Sequence, residues 1–395
     1  MARASLYLFL TVFLTGYGLI NAYIFIRGWP ATAWMSRYWR KAVLLLFGLS
    51  VLSYPLGRFL SRLVPLPGED GLVLIGSFYL AVMIYLFLVL LLLDILRLIR
   101  SLSLPVLKKR FQPSGIAPRT PLLIVIGIVL ITVSLGHWNA LRPRIRNLNI
   151  DLPQSAGARR QLSVVMASDL HLGRIIRNSR LEKIVGLING LKPDLVLLAG
   201  DITDEDISFL ADQNTAAILQ RIRAPLGVYA VTGNHEYYSG AGKSVSFIRQ
   251  GGIRVLEDEA VKIGNSFYLV GRKDRTAERF GEQRKPLGQL MKEVPPGYPV
   301  ILMDHQPFQL TESQRQGVGL QLSGHTHNGQ LFPINFIIGR IYENPWGYLK
   351  KGDTQYYVSC GLGTWGPPVR TCSIPEIVHI RLALQPGPGN IGSLP

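Results

Sequence analysis

The stretch GLQLSGHTHNGQLF, residues 319–332, decides how the chain folds. Leu320–Ser323 reads as a short strand, and Gly324 marks its end. His325 and His327 then follow in the loop. Within a strand, residues two apart share a face, so the pair could also be two half-exposed strand histidines. The loop reading places them at the edge where open α/β sheets bind ligands. Partners for two imidazoles must come from elsewhere in the chain.

Working outward, SVVMASDL (163–170), DLVLLAGD (194–201), GVYAVTGN (227–234) and PVILMDH (299–305) are apolar runs of strand length. YYVSC (356–360) and EIVHIRLAL (376–384) are late strands. SRLEKIVGLINGL (179–191) reads as a helix opened by a capping box, Ser179 with Glu182. A helical stretch occupies residues around 206–222. This alternation predicts an α/β domain. Residues 272–296 are polar and charged and read as a surface insertion, and 386–395 as a loose tail.

Each buried run ends in polar residues that bind metals. They are Asp169-Leu170-His171, Gly200-Asp201, Gly233-Asn234-His235-Glu236, Asp304-His305 and Gly324-His325-Thr326-His327. Five of the seven histidines lie at such ends; His137 and His379 read as structural. Imidazole and carboxylate suit borderline divalent ions such as Mn, Fe and Zn. The candidates are too many for one ion and suit two. Gly200, Gly233 and Gly324 are expected to let the backbone turn sharply beside them.

Residues 1–150 have another character. They carry 16 Lys/Arg and 3 Asp/Glu, whereas residues 151–395 carry 26 and 22. The basic excess therefore lies in the most apolar part. That points to membrane flanks rather than nucleic acid. Ala4–Ile26, Ala42–Leu60, Gly71–Leu93 and Thr120–Leu141 each approach the length of about 20 apolar residues that a crossing helix needs. Trp29, Trp34, Tyr38, Trp39 and Trp138 sit at span ends, where interfacial aromatics belong. Pro55 and Arg58 make the second span the one expected to kink or shorten. The expected organisation is a multi-pass transmembrane region at 1–150, a catalytic domain at 151–385 and the tail.

SDLHLG, LLAGDITD, VTGNHEYY, MDHQPF and LSGHTHNGQ follow in an order that resembles the calcineurin-like metallophosphoesterases over about residues 162–382. GVYAVTGNHEYY, LSGHTHNGQ and GLGTWGPPVR resemble the membrane-attached branch of that family. The resemblance implies a four-layer α-β-β-α sandwich, preceded here by about four transmembrane helices. It implies that Asp169, His171 and His327 hold one metal and that Asn234, His305 and His325 hold a second. Asp201 would bridge the two. His235 would face the phosphate oxygens or the leaving group. The branch usually has glycine where this chain has Asn328, a residue that tolerates left-handed backbone.

Two-metal chemistry then predicts a metal-dependent phosphoric ester hydrolase, with in-line attack by a hydroxide shared between the ions. The expected partners are a phosphoester, lipidic in one reading, and the bilayer, with no nucleic acid. Alternatives are a pyrophosphatase acting on a nucleotide-sugar lipid such as UDP-diacylglucosamine, or a non-catalytic membrane binding module. Gly361, Gly363 and Gly366 spell G-x-G-x-x-G, but Pro367 and Pro368 leave no room for the helix a dinucleotide site needs. That stretch reads as a loop near the site mouth, with Arg370 either on the surface or touching phosphate. Cys360 and Cys372 could pair in an oxidising compartment. Basic residues favour the loops after the first and third spans, ten against seven, which expects the catalytic domain on the non-cytoplasmic side of the cell membrane.

Overall fold

The computed structural model describes residues 2–60, 68–102, 119–154, 161–204 and 207–386. The chain forms two compact units, Met1–Trp138 with Gly366–Val369, and Asn139–Trp365 with Arg370–Pro395. The boundary expected at residue 150 falls inside the first strand, and the expected tail lies almost wholly outside the described residues.

The first unit is helical: α1 (Ala2–Gly28), α2 (Arg37–Pro55), α3 (Glu69–Leu102) and α4 (Arg119–Ala140). Among the described residues three segments are long and apolar enough to cross a membrane: Arg37–Arg58, Glu69–Leu102 and Thr120–Ala140. The span expected at Ala4–Ile26 coincides with α1. Proline has no N–H to donate and clashes with the preceding turn, and α2 ends at Pro55, followed by one π turn, Leu56–Leu60. Gly76 permits close packing of α3 on α2, since a Cβ there would lie 2.5 Å from the Tyr54 backbone. α3 runs beyond the expected Leu93 because Asp94 finds partners: Tyr23 donates to it at 2.8 Å, and Arg27 pairs with it. His137 packs on Phe78, its Nδ1 2.7 Å from the Pro368 carbonyl oxygen.

The second unit holds two six-stranded sheets. Its strands are β1 (Arg144–Gln154), β2 (Gln161–Ala167), β3 (Leu195–Ala199), β4 (Val228–Val231), β5 (Arg254–Val255), β6 (Glu259–Ile263), β7 (Phe267–Gly271), β8 (Val300–Met303), β9 (Leu320–Ser323), β10 (Gly347–Lys351), β11 (Thr354–Val358) and β12 (Glu376–Pro386). One sheet runs β1-β12-β2-β3-β4-β5 and the other β10-β11-β9-β8-β7-β6. β2, β3 and β4 are mutually parallel, as are β7, β8 and β9. The helices are α5 (Asn178–Gly190), α6 (Ile207–Asp212), α7 (Thr215–Leu219), α8 (Asn234–Tyr238), α9 (Ala241–Gln250), α10 (Leu287–Met291), α11 (Leu310–Arg315) and α12 (Ile334–Ile341).

Side-chain alternation assigns each strand face to a layer. Val164, Met166, Leu195 and Leu197 meet Leu269, Ile301, Met303 and Leu322 between the sheets. Val165, Val196 and Leu198 face outward onto Leu181, Ile184, Ile188, Leu219 and Ile248 of the flanking helices. Val270 and Leu302 face Leu287 and Leu290 on the other side. The result is the four-layer α-β-β-α sandwich.

Several local expectations are corrected. α5 begins at Asn178 with no capping side chain, because Asn178 accepts from Thr215 and Glu182 accepts from Arg221. Residues 272–296 are not a surface insertion. Asp274, Ala277, Leu287 and Leu290 are fully buried, and Arg272 and Arg284 both donate to Asp304. β1, β5, β6, β7 and β10 go beyond the expected strands; β1 pairs with β12 along its full length. His379 bonds to Ser163 and Asn147 within the first sheet, as a structural histidine does.

Candidate metal centre

The seven expected ligands, and His235 with them, all follow the C-terminal ends of parallel strands. Asp169 and His171 follow β2, Asp201 follows β3, Asn234 and His235 follow β4, His305 follows β8, and His325 and His327 follow β9. Parallel alignment within each sheet, and packing of the two sheets, brings these ends together. The seven candidates are buried or nearly so.

Two groups form. Asp169, His171 and His327 have their ligand atoms within 4.8 Å of one another, and so do Asp201, His305 and His325. His171 Nε2 lies 3.0 Å from His327 Nε2, which is 3.4 Å from Asp169 Oδ1. His305 Nε2 lies 3.1 Å from Asp201 Oδ2, and His325 Nδ1 lies 2.8 Å from Asn234 Oδ1. The same Asp201 oxygen is 3.9 Å from His171 Nε2, so one carboxylate stands between the groups.

The local backbone is bent to this purpose. Asp169, His171, Asp201, His325 and His327 all adopt positive φ, between 48° and 74°. Such a conformation costs a non-glycine residue about 1–3 kcal/mol and persists only where its surroundings enforce it. Asn328 joins them at φ 47°, ψ 39°. Of the three expected turn glycines only Gly200 has positive φ, at 87°. Gly233 and Gly324 serve close approach instead: a Cβ would sit 2.1 Å from Asp201 Oδ1 or 2.4 Å from Asp169 Oδ2. Gly361 and Gly363 likewise leave room for Asp169 and Leu170, so the G-x-G-x-x-G stretch is a loop laid against the site.

Four residues outside the expected ligand set support the site. Glu236, fully buried, accepts backbone N–H from Asp201, Ile202, Thr203 and Gly233, tying the β3 and β4 loops together. Burial, with the Asp201 charge beside it, raises its carboxyl pKa. Asp204 Oδ1 stands 3.0 Å from His235 Nδ1. Gln306 donates to Asp274 beside the β8 loop. Arg370 is fully buried, neither a surface residue nor open to a phosphate. Its guanidinium donates to Ser373 Oγ and to the Gly363 carbonyl oxygen and lies 3.0 Å from His327 Nδ1. The acid of LLAGDITD could have been noticed by its spacing from Asp201; the Arg370 contact depends on how its loop folds back.

Burial drives most of the site's electrostatics. It pushes His171 and His325 down to about 3, neighbouring histidines adding to the effect. His327 is held well below the usual range by burial and then by Arg370. These rings are neutral and offer lone pairs. Burial raises Asp169 to about 6, with the Asp201 charge adding and His305 opposing. Burial would also raise Asp201, but His305 and His235 hold it well below the ordinary value. Against burial, Asp201 and Asp204 lift His235 to about 9.

These atoms fit divalent ions. His305 Nδ1 bonds to the Ala199 carbonyl oxygen at 2.7 Å. Its Nε2 is buried without a hydrogen-bond partner and faces a carboxylate. His171 and His327 turn ring nitrogens toward each other. Nitrogen lone pairs and carboxylate oxygens this close repel unless a proton or cation lies among them.

A family model for calcineurin-like phosphoesterases matches residues 162–329. An uncharacterised metallophosphoesterase of Aquifex aeolicus (strain VF5) is 35% identical over 272 residues, 66% of this chain and all of that protein. The chain belongs to the calcineurin-like phosphoesterases. A Helicobacter pylori (strain J99) metallophosphoesterase is 32% identical, over 62% of this chain and 66% of its own length. A Danio rerio transmembrane protein with a metallophosphoesterase domain is 31% identical, over 68% and 64%. This chain thus spans about two thirds of those two relatives. It is a metal-dependent phosphoric ester hydrolase, and its apolar helices associate it with a membrane. The two thiols of this phosphoesterase are free; Cys360 is buried and bonds to the Ile374 carbonyl oxygen.

Proposed function

We propose that this phosphoesterase is an integral, multi-pass membrane enzyme that hydrolyses a phosphate ester with two divalent ions. The observation that carries the reading is the pair of three-residue groups sharing the Asp201 carboxylate. Asp169, His171 and His327 would hold one ion; Asn234, His305 and His325 the other; Asp201 would bridge. Bound there, the ions would activate water as the nucleophile and neutralise phosphoryl oxygens. The neutral rings of His171, His325 and His327 suit ligation by Mn, Fe or Zn.

His235 is the proposed catalytic residue. Asp204 beside Nδ1 orients the ring and leaves Nε2 to act. With its pKa raised to about 9 the ring is protonated at neutral pH, so Nε2–H can give its proton to the departing oxygen. The Asp201 side chain is fixed by the His235 backbone N–H at 2.9 Å, which links ligand and acid rigidly. Arg370 is a positioning residue for His327 rather than a substrate ligand.

The test is a metal assay combined with turnover of bis(p-nitrophenyl) phosphate by full-length protein in detergent. Wild type should hold about two metal equivalents and lose activity with chelator. His235→Asn should keep its metal and turn over about 10²–10⁴ times more slowly. A wild-type rate in that variant, or loss of its metal, overturns the role. A nucleotide-sugar lipid in the same screen would release nucleoside monophosphate if the narrower pyrophosphatase reading holds.

A further inference from the structure

The polypeptide leaving the His325–His327 pair does something unusual for a folded domain. After Phe332 and Pro333 it forms α12, INFIIGRI, in which no residue is buried. Phe336 and Ile337 are each 58% exposed, Ile341 55%, Phe332 49% and, on the neighbouring loop, Trp365 58%. Single exposed apolar residues are ordinary, but a group of large ones marks an interaction surface.

The group sits on an ordered scaffold. Gln330 and Trp365 exchange hydrogen bonds in both directions, at 3.0 and 2.9 Å. Phe332 N–H donates to Thr371 Oγ1, and the rings of Phe332 and Phe336 lie 5.8 Å apart. The scaffold also touches the catalytic loop. Gly329 has φ 79°, and a Cβ there would strike the Asn335 backbone nitrogen at 2.4 Å. α12 therefore packs directly on the His327–Gly329 turn.

Two observations choose the occupant. Residues 141–143 alone separate the end of α4 from β1, so a three-residue link joins the domain to a helix able to cross a membrane. α12 itself carries Arg340 and no acid, and its large exposed hydrophobic side chains, Phe336, Ile337 and Ile341, are aromatic and aliphatic. That composition suits the boundary between anionic headgroups and acyl chains.

We propose that Phe332, Phe336, Ile337, Ile341 and Trp365 insert into the bilayer surface, making a lipid phosphoester the substrate class of the adjacent site. The surface draws on the geometry alone; the substrate class rests on the phosphoesterase reading above.

The experiment uses the full chain in nanodiscs of phosphatidylcholine, phosphatidylglycerol and phosphatidic acid. A nitrobenzoxadiazole label is placed through Ile337→Cys or, as a reference on α9, Lys243→Cys, with the labelled wild type subtracted. Acyl-chain doxyl lipids should quench the first label strongly and the second little; equal quenching overturns the bilayer contact. In parallel, the double variant Phe336→Glu, Ile337→Glu should hydrolyse soluble bis(p-nitrophenyl) phosphate as wild type does. Its rate on phosphatidic acid in the discs should fall about tenfold, the change expected from about 1.4 kcal/mol. Equal rates for wild type and variant on the lipid, or equal losses on both substrates, overturn the substrate class. Wild-type inactivity on the soluble diester would instead count against the phosphoesterase reading, and quenching would still decide the surface.

Discussion

Asp201 is the residue on which both ligand groups converge. Its Oδ1 fixes the His235 backbone while Oδ2 faces His305 and His171. Asp201→Ala should therefore lower metal content and reduce turnover by at least about 10², more than loss of a ligand confined to one group. Elemental analysis of the purified variant checks the first effect; retained metal with wild-type activity would refute it. Protons compete for the same atoms. Asp169, lifted to about 6 by burial, is protonated below that pH in the metal-free chain. His305, kept protonated by Asp201 and Asp169 despite burial, adds to the same sign. Metal must displace these protons, so affinity should fall as pH drops, by about tenfold between pH 7 and 5 from Asp169 alone. Metal titrations at those two pH values test this; a flat profile contradicts it. The ligands were legible because each ends an apolar run. Asp204 offers only its spacing from Asp201, and Arg370 reads as surface or phosphate-facing, because the contacts of both with histidine rings exist only in the folded chain.

At the scale of elements, strand order does the assembling. β2, β3 and β4 deliver three of the ligand loops from one sheet, β8 and β9 the others, and each strand's hydrophobic side chains secure it between layers. The α10 region takes part as well. Leu287 and Leu290 are fully buried against Val270 and Leu302, while Arg272 and Arg284 clamp Asp304, next to His305. Leu290→Ala should cost about 2–5 kcal/mol by leaving a cavity. A lowered thermal midpoint of the full chain in detergent would be the readout, and an unchanged midpoint would return residues 272–296 to the status of an insertion. These residues misled because arginines dominate their composition, and composition does not reveal that two of them point inward to a carboxylate. β1 carried a usable signal. Leu148, Ile150 and Leu152 alternate with Asn147, Asn149 and Asp151, yet the stretch follows α4 so closely that its basic residues read as a membrane flank. β5 has only two residues, too short for any periodicity to register.

For the whole molecule, the open question is the side of the membrane on which hydrolysis occurs. Taking α1 with the three segments of crossing length gives an even number of passes. The Ala2 end and the catalytic domain then share one side. The loops after the first and third passes hold Arg27, Arg37, Arg40, Lys41, Arg97, Arg100, Lys108, Lys109, Arg110 and Arg119. Against these ten stand Arg3, Arg62, Arg142, Arg144, Arg146, Arg159 and Arg160. Basic loops stay cytoplasmic, and residues near the spans weigh most. The balance predicts an outward catalytic domain, the orientation expected from the sequence. The helix α3 strengthens it, since Arg97 and Arg100 lie in its last turns, close to where the span leaves the hydrocarbon. An outward domain would meet lipid phosphoesters of the outer leaflet and would be separated from cytosolic nucleotides. Fusions after Pro395 discriminate between the two sides. High alkaline phosphatase activity is expected from an exported domain. Fluorescence from a fused green protein that matures only in the cytosol would reverse the orientation, and with it open the site to nucleotide-linked substrates.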